Sequence, residues 1–236
     1  MRGMFRAFGL TATLALLLAA RSESQSQLAL SNSGDLTAEG AFSCELTLPA
    51  SVTMSPDPIG ADLERDRMIM SRQPGMLRKH VPLAIDFQTG NLLAGGRYLF
   101  DTEEHAKEYK TFVTETFTVD GVKFLDRPYF LDHDCHSWSV VGARDFADIH
   151  TSQVVMRTER WAVPADNQRQ SLKAHWPAVR AEAGARGYSS VWLLYNKQEQ
   201  LATLVYFVPR LVPKDPAAPD FTTLLRCRVL QRSAIC

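Results

Sequence analysis

The sequence predicts an α+β protein made of two ferredoxin-like βαββαβ units, one over residues 41–150 and a second, less complete one over residues 151–236. Three observations lead there. Short apolar runs with strand character recur along the chain. Two longer stretches carry apolar residues at helical spacing. The order strand, helix, hairpin, helix, strand is then followed by strand, helix, hairpin.

A strand is expected over residues 42–48. Pro56 and Pro58 punctuate the chain, and a short helix follows over 60–71, apolar at Leu63, Met68 and Met70. Gln73-Pro74-Gly75 is a turn by residue type, because proline fixes φ and glycine permits positive φ. Strands over 76–87 and 94–100 flank a turn at Thr89-Gly90-Asn91. Asp101 or Thr102 caps the next helix, with Glu103 and Glu104 where the dipole favours negative charge. Ala106, Tyr109, Phe112, Val113 and Phe117 give that helix one apolar face. Asp120-Gly121 turns the chain, and strand character returns at 128–131 and 138–141.

The second unit opens with a strand over 154–163 and a turn over 164–167. Its helix, 168–183, presents Leu172, Trp176, Val179 and Ala183, and Pro177 is expected to start its main part or kink it. Strands over 190–195 and 201–208 form a hairpin around Asn196-Lys197-Gln198. A proline-rich loop then leads to a short apolar segment at 221–225.

Before these units the chain reads as an address. Arg2 and Arg6 precede an apolar run over 10–20, and no acidic residue appears before Glu23. Ala20-Arg21-Ser22 or Ser22-Glu23-Ser24 satisfies the small-x-small rule, so residues 1–24 are expected to be a signal peptide. The run is shorter than the roughly 20 residues a membrane span needs. Residues 25–40, rich in Ser, Gln, Asn and Gly, read as a disordered lead-in. The expected location is periplasmic or extracellular, with no stable membrane insertion after cleavage.

Losing residues 1–24 removes Arg2, Arg6, Arg21 and Glu23 from 26 basic and 26 acidic residues, leaving a net charge of −2. That balance gives no electrostatic reason to expect nucleic acid as a partner. The four cysteines, Cys44, Cys135, Cys227 and Cys236, all lie beyond the signal. In an exported protein they fit disulfides, with Cys44–Cys135 and Cys227–Cys236 the favoured pairing; free buried thiols are the alternative.

Three stretches carry a family resemblance: Gln73-Pro74-Gly75-Met76-Leu77-Arg78-Lys79, then Ala94-Gly95-Gly96-Arg97-Tyr98-Leu99-Phe100, then the helix with Ala106, Tyr109 and Lys110. In order and spacing, residues 57–130 resemble the YdhR-like monooxygenase family of the dimeric α+β barrel superfamily. Residues 181–208 are similar, more loosely, to antibiotic-biosynthesis-monooxygenase domains of that superfamily. The resemblance implies that two ferredoxin-like units pack their sheets into a barrel. One chain would supply both as a pseudo-dimer, giving a monomer, or a homodimer. Some members of the superfamily oxidise polycyclic phenols without metal or flavin, some degrade haem and many have no known activity, so fold alone does not give function; no cofactor is expected here. Export, the cysteines and a His-rich segment set this chain apart from that family.

The His-rich segment is His133-Asp134-Cys135-His136, with imidazole and thiol groups capable of holding zinc or copper. On a strand, however, His133 and Cys135 face one side and His136 the other, so no metal site is expected. Catalytic residues are not assigned. A ligand pocket, if the barrel leaves one between sheet and helices, has Tyr98, Trp161, Tyr109, His133 and His136 as its candidates. The reading carried forward is a protein that binds a small apolar or aromatic ligand. The alternatives are a cofactor-independent monooxygenase on a small aromatic or quinol substrate, and a non-catalytic structural or interaction protein.

Overall fold

The computed structural model describes residues 34–51, 65–66, 68–147, 154–163, 168–209 and 228–235. The expected signal peptide, the segment at 221–225, Cys227, Cys236 and His150 lie outside them.

Ten strands join one antiparallel sheet. They are β1 (Gly34–Asp35), β2 (Gly40–Leu48), β3 (Met76–His80), β4 (Leu83–Ile85) and β5 (Leu92–Phe100). After a separate two-stranded ribbon, β6 (Thr118–Val119) and β7 (Val122–Lys123), come β8 (Asp132–Asp145), β9 (Val154–Ala162), β10 (Ser190–Asn196), β11 (Leu201–Pro209) and β12 (Arg228–Ile235). The main path runs β12-β9-β11-β10-β8-β2-β5-β3, with β1 beside β8 and β4 beside β5. Among the described residues, helices α1 (Glu103–Thr111) and α2 (Gln168–Ala185) pack on it, and residues 65–66 and 68–70 are also helical, within the helix expected over 60–71. The architecture is α+β, a mostly antiparallel sheet with few helices, curled into a half-barrel.

The alternation of side chains along the strands builds this arrangement. On β2, Phe42, Cys44, Leu46 and Leu48 point to one face and pack with Tyr109 and Val113 beneath α1. The intervening Ala41 joins Leu99, Trp138, Trp192 and Phe207 in a second core on the opposite face. A third core lies under α2, around Trp161, Leu172, Val179 and Leu204. Curling of the sheet is visible in contacts between strands far apart in its order. His80 of β3 meets Phe207 of β11 at 4.6 Å between ring centroids, across four intervening strands.

Several expected elements differ in extent. The strand expected over 76–87 is two strands, because Pro82 has no N–H to give to a ladder. Strand character expected at 128–131 is a turn, closed by the Phe130 amide on the Arg127 carbonyl at 3.0 Å. The strand expected at 138–141 is instead the 14-residue β8, which takes in the whole His-rich segment. Thr102 caps α1, its hydroxyl accepting from the His105 amide at 3.1 Å, and a π-helical turn, Phe112–Thr116, ends it. Pro177 lies inside α2 without ending it. It faces solvent there, where a carbonyl freed by proline can be hydrated.

The disordered lead-in expected over 25–40 is corrected for residues 34–40. Gly34–Asp35 pairs with β8, and Asp35 accepts from Arg144 at 3.0 Å and Arg180 at 2.9 Å. Gly40 sits where a Cβ would stand 2.3 Å from the Thr102 carbonyl oxygen, so this glycine lets β2 start against α1. The remainder of that lead-in lies outside the described residues. Among the described residues, no helix is long and apolar enough to cross a membrane.

Candidate functional site

A cavity of about 280 Å³ opens between the sheet and α1. Its floor is the helix-facing side of β2 and β5, with Phe42, Cys44 and Leu46 beside Ala94, Gly96 and Tyr98. Tyr109 and Val113 roof it, and Lys79, Val81 and Leu83 form one wall.

The glycine pair of β5 makes room for this floor. A Cβ on Gly96 would stand 2.0 Å from the Tyr98 ring, and one on Gly95 would stand 2.1 Å from the Cys44 carbonyl oxygen. Neither side chain could be accommodated without moving backbone or ring. The bare Gly96 lets the Tyr98 ring lie back along its own strand. There it meets Tyr109 at 5.0 Å and Phe42 at 5.8 Å between centroids. Phe42 and Phe100 also approach Tyr109, each at 5.1 Å. Aromatic groups at these separations lie in favourable tilted or edge contacts.

Both phenols are held neutral. Burial pushes Tyr98 above its ordinary range, against smaller opposing effects of Tyr109 and Arg97. Burial, then the neighbouring Tyr98, pushes Tyr109 well above its range. The Tyr109 hydroxyl is buried with the Tyr98 hydroxyl as its hydrogen-bonding neighbour, and no other partner stands in reach among the described residues. Two phenols that share one hydrogen bond keep one O–H to donate, and leaving a buried donor unmatched costs about 1–3 kcal/mol, so the pair has room for one acceptor. Charged groups stand around the cavity. Lys79 donates to Ser71 Oγ at 2.8 Å and lies 5.8 Å from the Tyr98 centroid. Asp66 is held in a buried bidentate pair by Arg127.

A second polar assembly lies on the opposite face of the sheet. Arg97 of β5 reaches Glu45 of β2 at 2.5 Å, and Arg160 of β9 reaches Asp134 of β8 at 2.7 Å and Glu45 at 3.8 Å. His136 has a carboxylate at each ring nitrogen, Asp134 at 2.6 Å and Glu199 at 2.5 Å. Burial pushes the Asp134 carboxyl up, but Arg160 and His136 together hold it below its ordinary value. Each charge is matched within the assembly, which therefore reads as a brace between distant strands.

Of the five pocket candidates, Tyr98 and Tyr109 come together in the cavity. Trp161 is fully buried in the core under α2. His133 is exposed on β8, and His136 belongs to the charged assembly on the other face. Cys44 and Cys135 are directly opposed on β2 and β8, Cα atoms 4.0 Å apart and sulfurs at bonding distance, so the favoured first pairing is present. Cys44 thereby places this disulfide in the cavity wall. Among the described residues, no group of three or more His, Cys, Asp or Glu is arranged to hold a metal ion. Sequence reasoning named Gly96 and Lys79 only within the resemblance, Val113 only on a helix face and Phe42 only as a strand start, none of them as pocket residues. The alternation of Phe42, Cys44, Leu46 and Leu48 was the available signal for the floor.

The chain shares its fold with three solved structures. One, from Lactobacillus acidophilus NCFM, is described as a putative monooxygenase; it is 11% identical, with a TM-score of 0.51, over 84% of this chain and 92% of that one. A second putative monooxygenase, from Fusobacterium nucleatum subsp. nucleatum, is 9% identical, with a TM-score of 0.52, over 85% and 92%. The third, an anthrone oxidase-like protein, is 10% identical, with a TM-score of 0.51, over 83% and 93%. At such identities the likeness is one of fold. No family model and no curated protein matches the sequence.

Proposed function

We propose that this chain is an exported α+β barrel protein that binds a small aromatic ligand carrying an oxygen acceptor in the cavity between β2, β5 and α1. The buried Tyr98–Tyr109 phenol pair in a largely apolar cavity carries the reading. Apolar walls favour a planar hydrocarbon body, and the phenol favours a hydroxyl or carbonyl oxygen on it.

The finer fold assignment belongs to the same proposal. In each half the strand order is fourth, first, third, second, as β8-β2-β5-β3 and β12-β9-β11-β10. That order supports two ferredoxin-like units. The Gly95-Gly96 geometry beside Tyr98 supports the YdhR-like resemblance of the first. The basic, apolar and small regions at the start of the chain, with the Cys44–Cys135 bridge, support export.

Calorimetric titration with 2-naphthol and naphthalene tests the ligand reading. Binding is expected for 2-naphthol, about tenfold weaker or worse in Ala94→Trp, where the indole fills the floor. Tyr109→Phe should remove the preference for 2-naphthol over naphthalene, worth about threefold to tenfold for one hydrogen bond. Equal binding to wild type and Ala94→Trp, or no binding at all, overturns the proposal.

A second reading is a cofactor-independent oxygenase, favoured by the fold shared with two putative monooxygenases and an anthrone oxidase-like protein. On anthrone such a reaction would consume one O₂ and release anthraquinone and water. Tyr98 and Tyr109 are held protonated, so they serve as donors to the substrate oxygen and not as its base. Binding therefore takes precedence. Oxygen uptake with anthrone, slowed in Tyr109→Phe, would reverse that order.

A further inference from the structure

Val81, Leu83, Ile85 and Phe87 alternate along the edge of the sheet, and all four are exposed. β4, paired to β5, carries Leu83 and Ile85 on one face, with Val81 just before it and Phe87 in the turn just after it. Val81 and Leu83 also line the cavity, so the apolar row continues from its wall to the outside. The row ends at Phe87, whose exposure is 99%.

A rigid turn presents Phe87. Asp86 accepts from the Gln88 amide at 3.0 Å and the Thr89 hydroxyl at 2.6 Å, while the Gly90 amide donates to the Asp86 carbonyl at 2.7 Å. Those bonds, the Thr89 hydroxyl first, hold the Asp86 carboxyl below its usual range. A flexible loop could fold a phenylalanine back onto the protein. This turn holds it out.

We propose that this row docks the protein on a lipid surface, so that an apolar ligand passes between the lipid and the cavity along β4. The inference rests on the reading of the cavity as a ligand pocket. Exposed apolar rows of this kind mark membrane or protein contacts. Four side chains in single file fall well short of the roughly 800 Å² per partner that a stable protein interface buries. A bilayer needs no complementary shape, only apolar groups that reach it. Lys79 at the head of the row is engaged with Ser71 at 2.8 Å, and residues 80–96 carry no Lys or Arg, so the lipid the row fits is zwitterionic, bound by insertion and not by charge.

Sedimentation of the full chain with phosphatidylcholine vesicles tests this. Wild type should co-sediment, and Phe87→Ser and Ile85→Ser should each lower the partition coefficient about tenfold or more, as loss of a buried large apolar side chain does. Neither residue lines the cavity, so both variants should bind 2-naphthol as wild type does. Retained 2-naphthol binding with no vesicle binding, or with vesicle binding indifferent to Phe87→Ser, overturns the docking inference and leaves the pocket standing. Vesicle binding by a protein that no longer binds 2-naphthol in any form overturns the pocket instead. A concentration-dependent dimer abolished by Phe87→Ser, without vesicle binding, would mean that a second copy covers the row, and overturns the inference.

Discussion

Arg78 on β3 and Asp145 on β8 form a buried ion pair at 3.0 Å, although β5 and β2 lie between their strands in the sheet. A flat sheet could not bring them together. The pair spans the concave side of the curl, and Ser190 Oγ adds a hydrogen bond to Asp145 at 2.7 Å.

Removing one member should therefore be costly. Arg78→Met strands a carboxylate that is fully buried, and destabilisation of about 3–5 kcal/mol is expected. Urea unfolding followed by tryptophan fluorescence reads it directly. A loss below about 1 kcal/mol would mean that the curl is held by apolar packing alone.

The strands and helices were legible because their signals are local: Thr102 with Glu103 and Glu104 marks a helix start, and Phe42 to Leu48 alternates. The ion pair was not legible, since Arg78 and Asp145 are 67 residues apart and nothing in the sequence pairs them. The site was half legible. Tyr98 and Tyr109 could be named from a strand and a helix face, and both line the cavity. Trp161 looked equivalent, yet it points into the core beneath α2, because nothing in one strand's sequence says which helix will cover it. His136 was named as a pocket candidate and is held instead by Asp134 and Glu199, which arrive from the same strand and from the hairpin turn.

The Cys44–Cys135 bridge links directly opposed residues 91 positions apart in sequence. Closing so long a loop in the unfolded chain should contribute about 2–4 kcal/mol. Dithiothreitol should cost wild-type protein that much more than it costs a Cys44→Ala, Cys135→Ala variant, because Cys227 and Cys236 are present in both. Equal effects of the reductant on both would place the stabilising bridge elsewhere.

At the start of α1, His105 Nδ1 and Asp101 Oδ1 are 2.6 Å apart. That bond to Asp101, ahead of the opposing effect of burial, raises the imidazole's folded-state pKa. A raised value means stability fully present below the unfolded pKa of about 6.5 and lost as pH climbs through the folded value. The stability gap between wild type and His105→Asn should thus be widest near pH 5–6 and shrink above neutrality. Gly75, at φ 69°, packs so closely that a Cβ would stand 2.2 Å from both Asp101 Oδ1 and His105 Nδ1. Gly75→Ala should accordingly flatten the same pH profile. A profile that rises with pH would contradict the assigned pair.

The neutral phenols of the cavity give the last prediction. The chain has six tyrosines, and burial raises three of them, Tyr98, Tyr109 and Tyr206, the last also facing Glu159 at 3.1 Å. Ultraviolet titration of the folded protein should therefore leave these three protonated where an ordinary phenol, of pKa about 10, has ionised. They should appear only as the protein unfolds in alkali. Tyr109→Phe should remove one late-titrating phenol. If instead an early one disappears, the Tyr109 hydroxyl is open to water, and the case for a ligand oxygen as its partner falls with it.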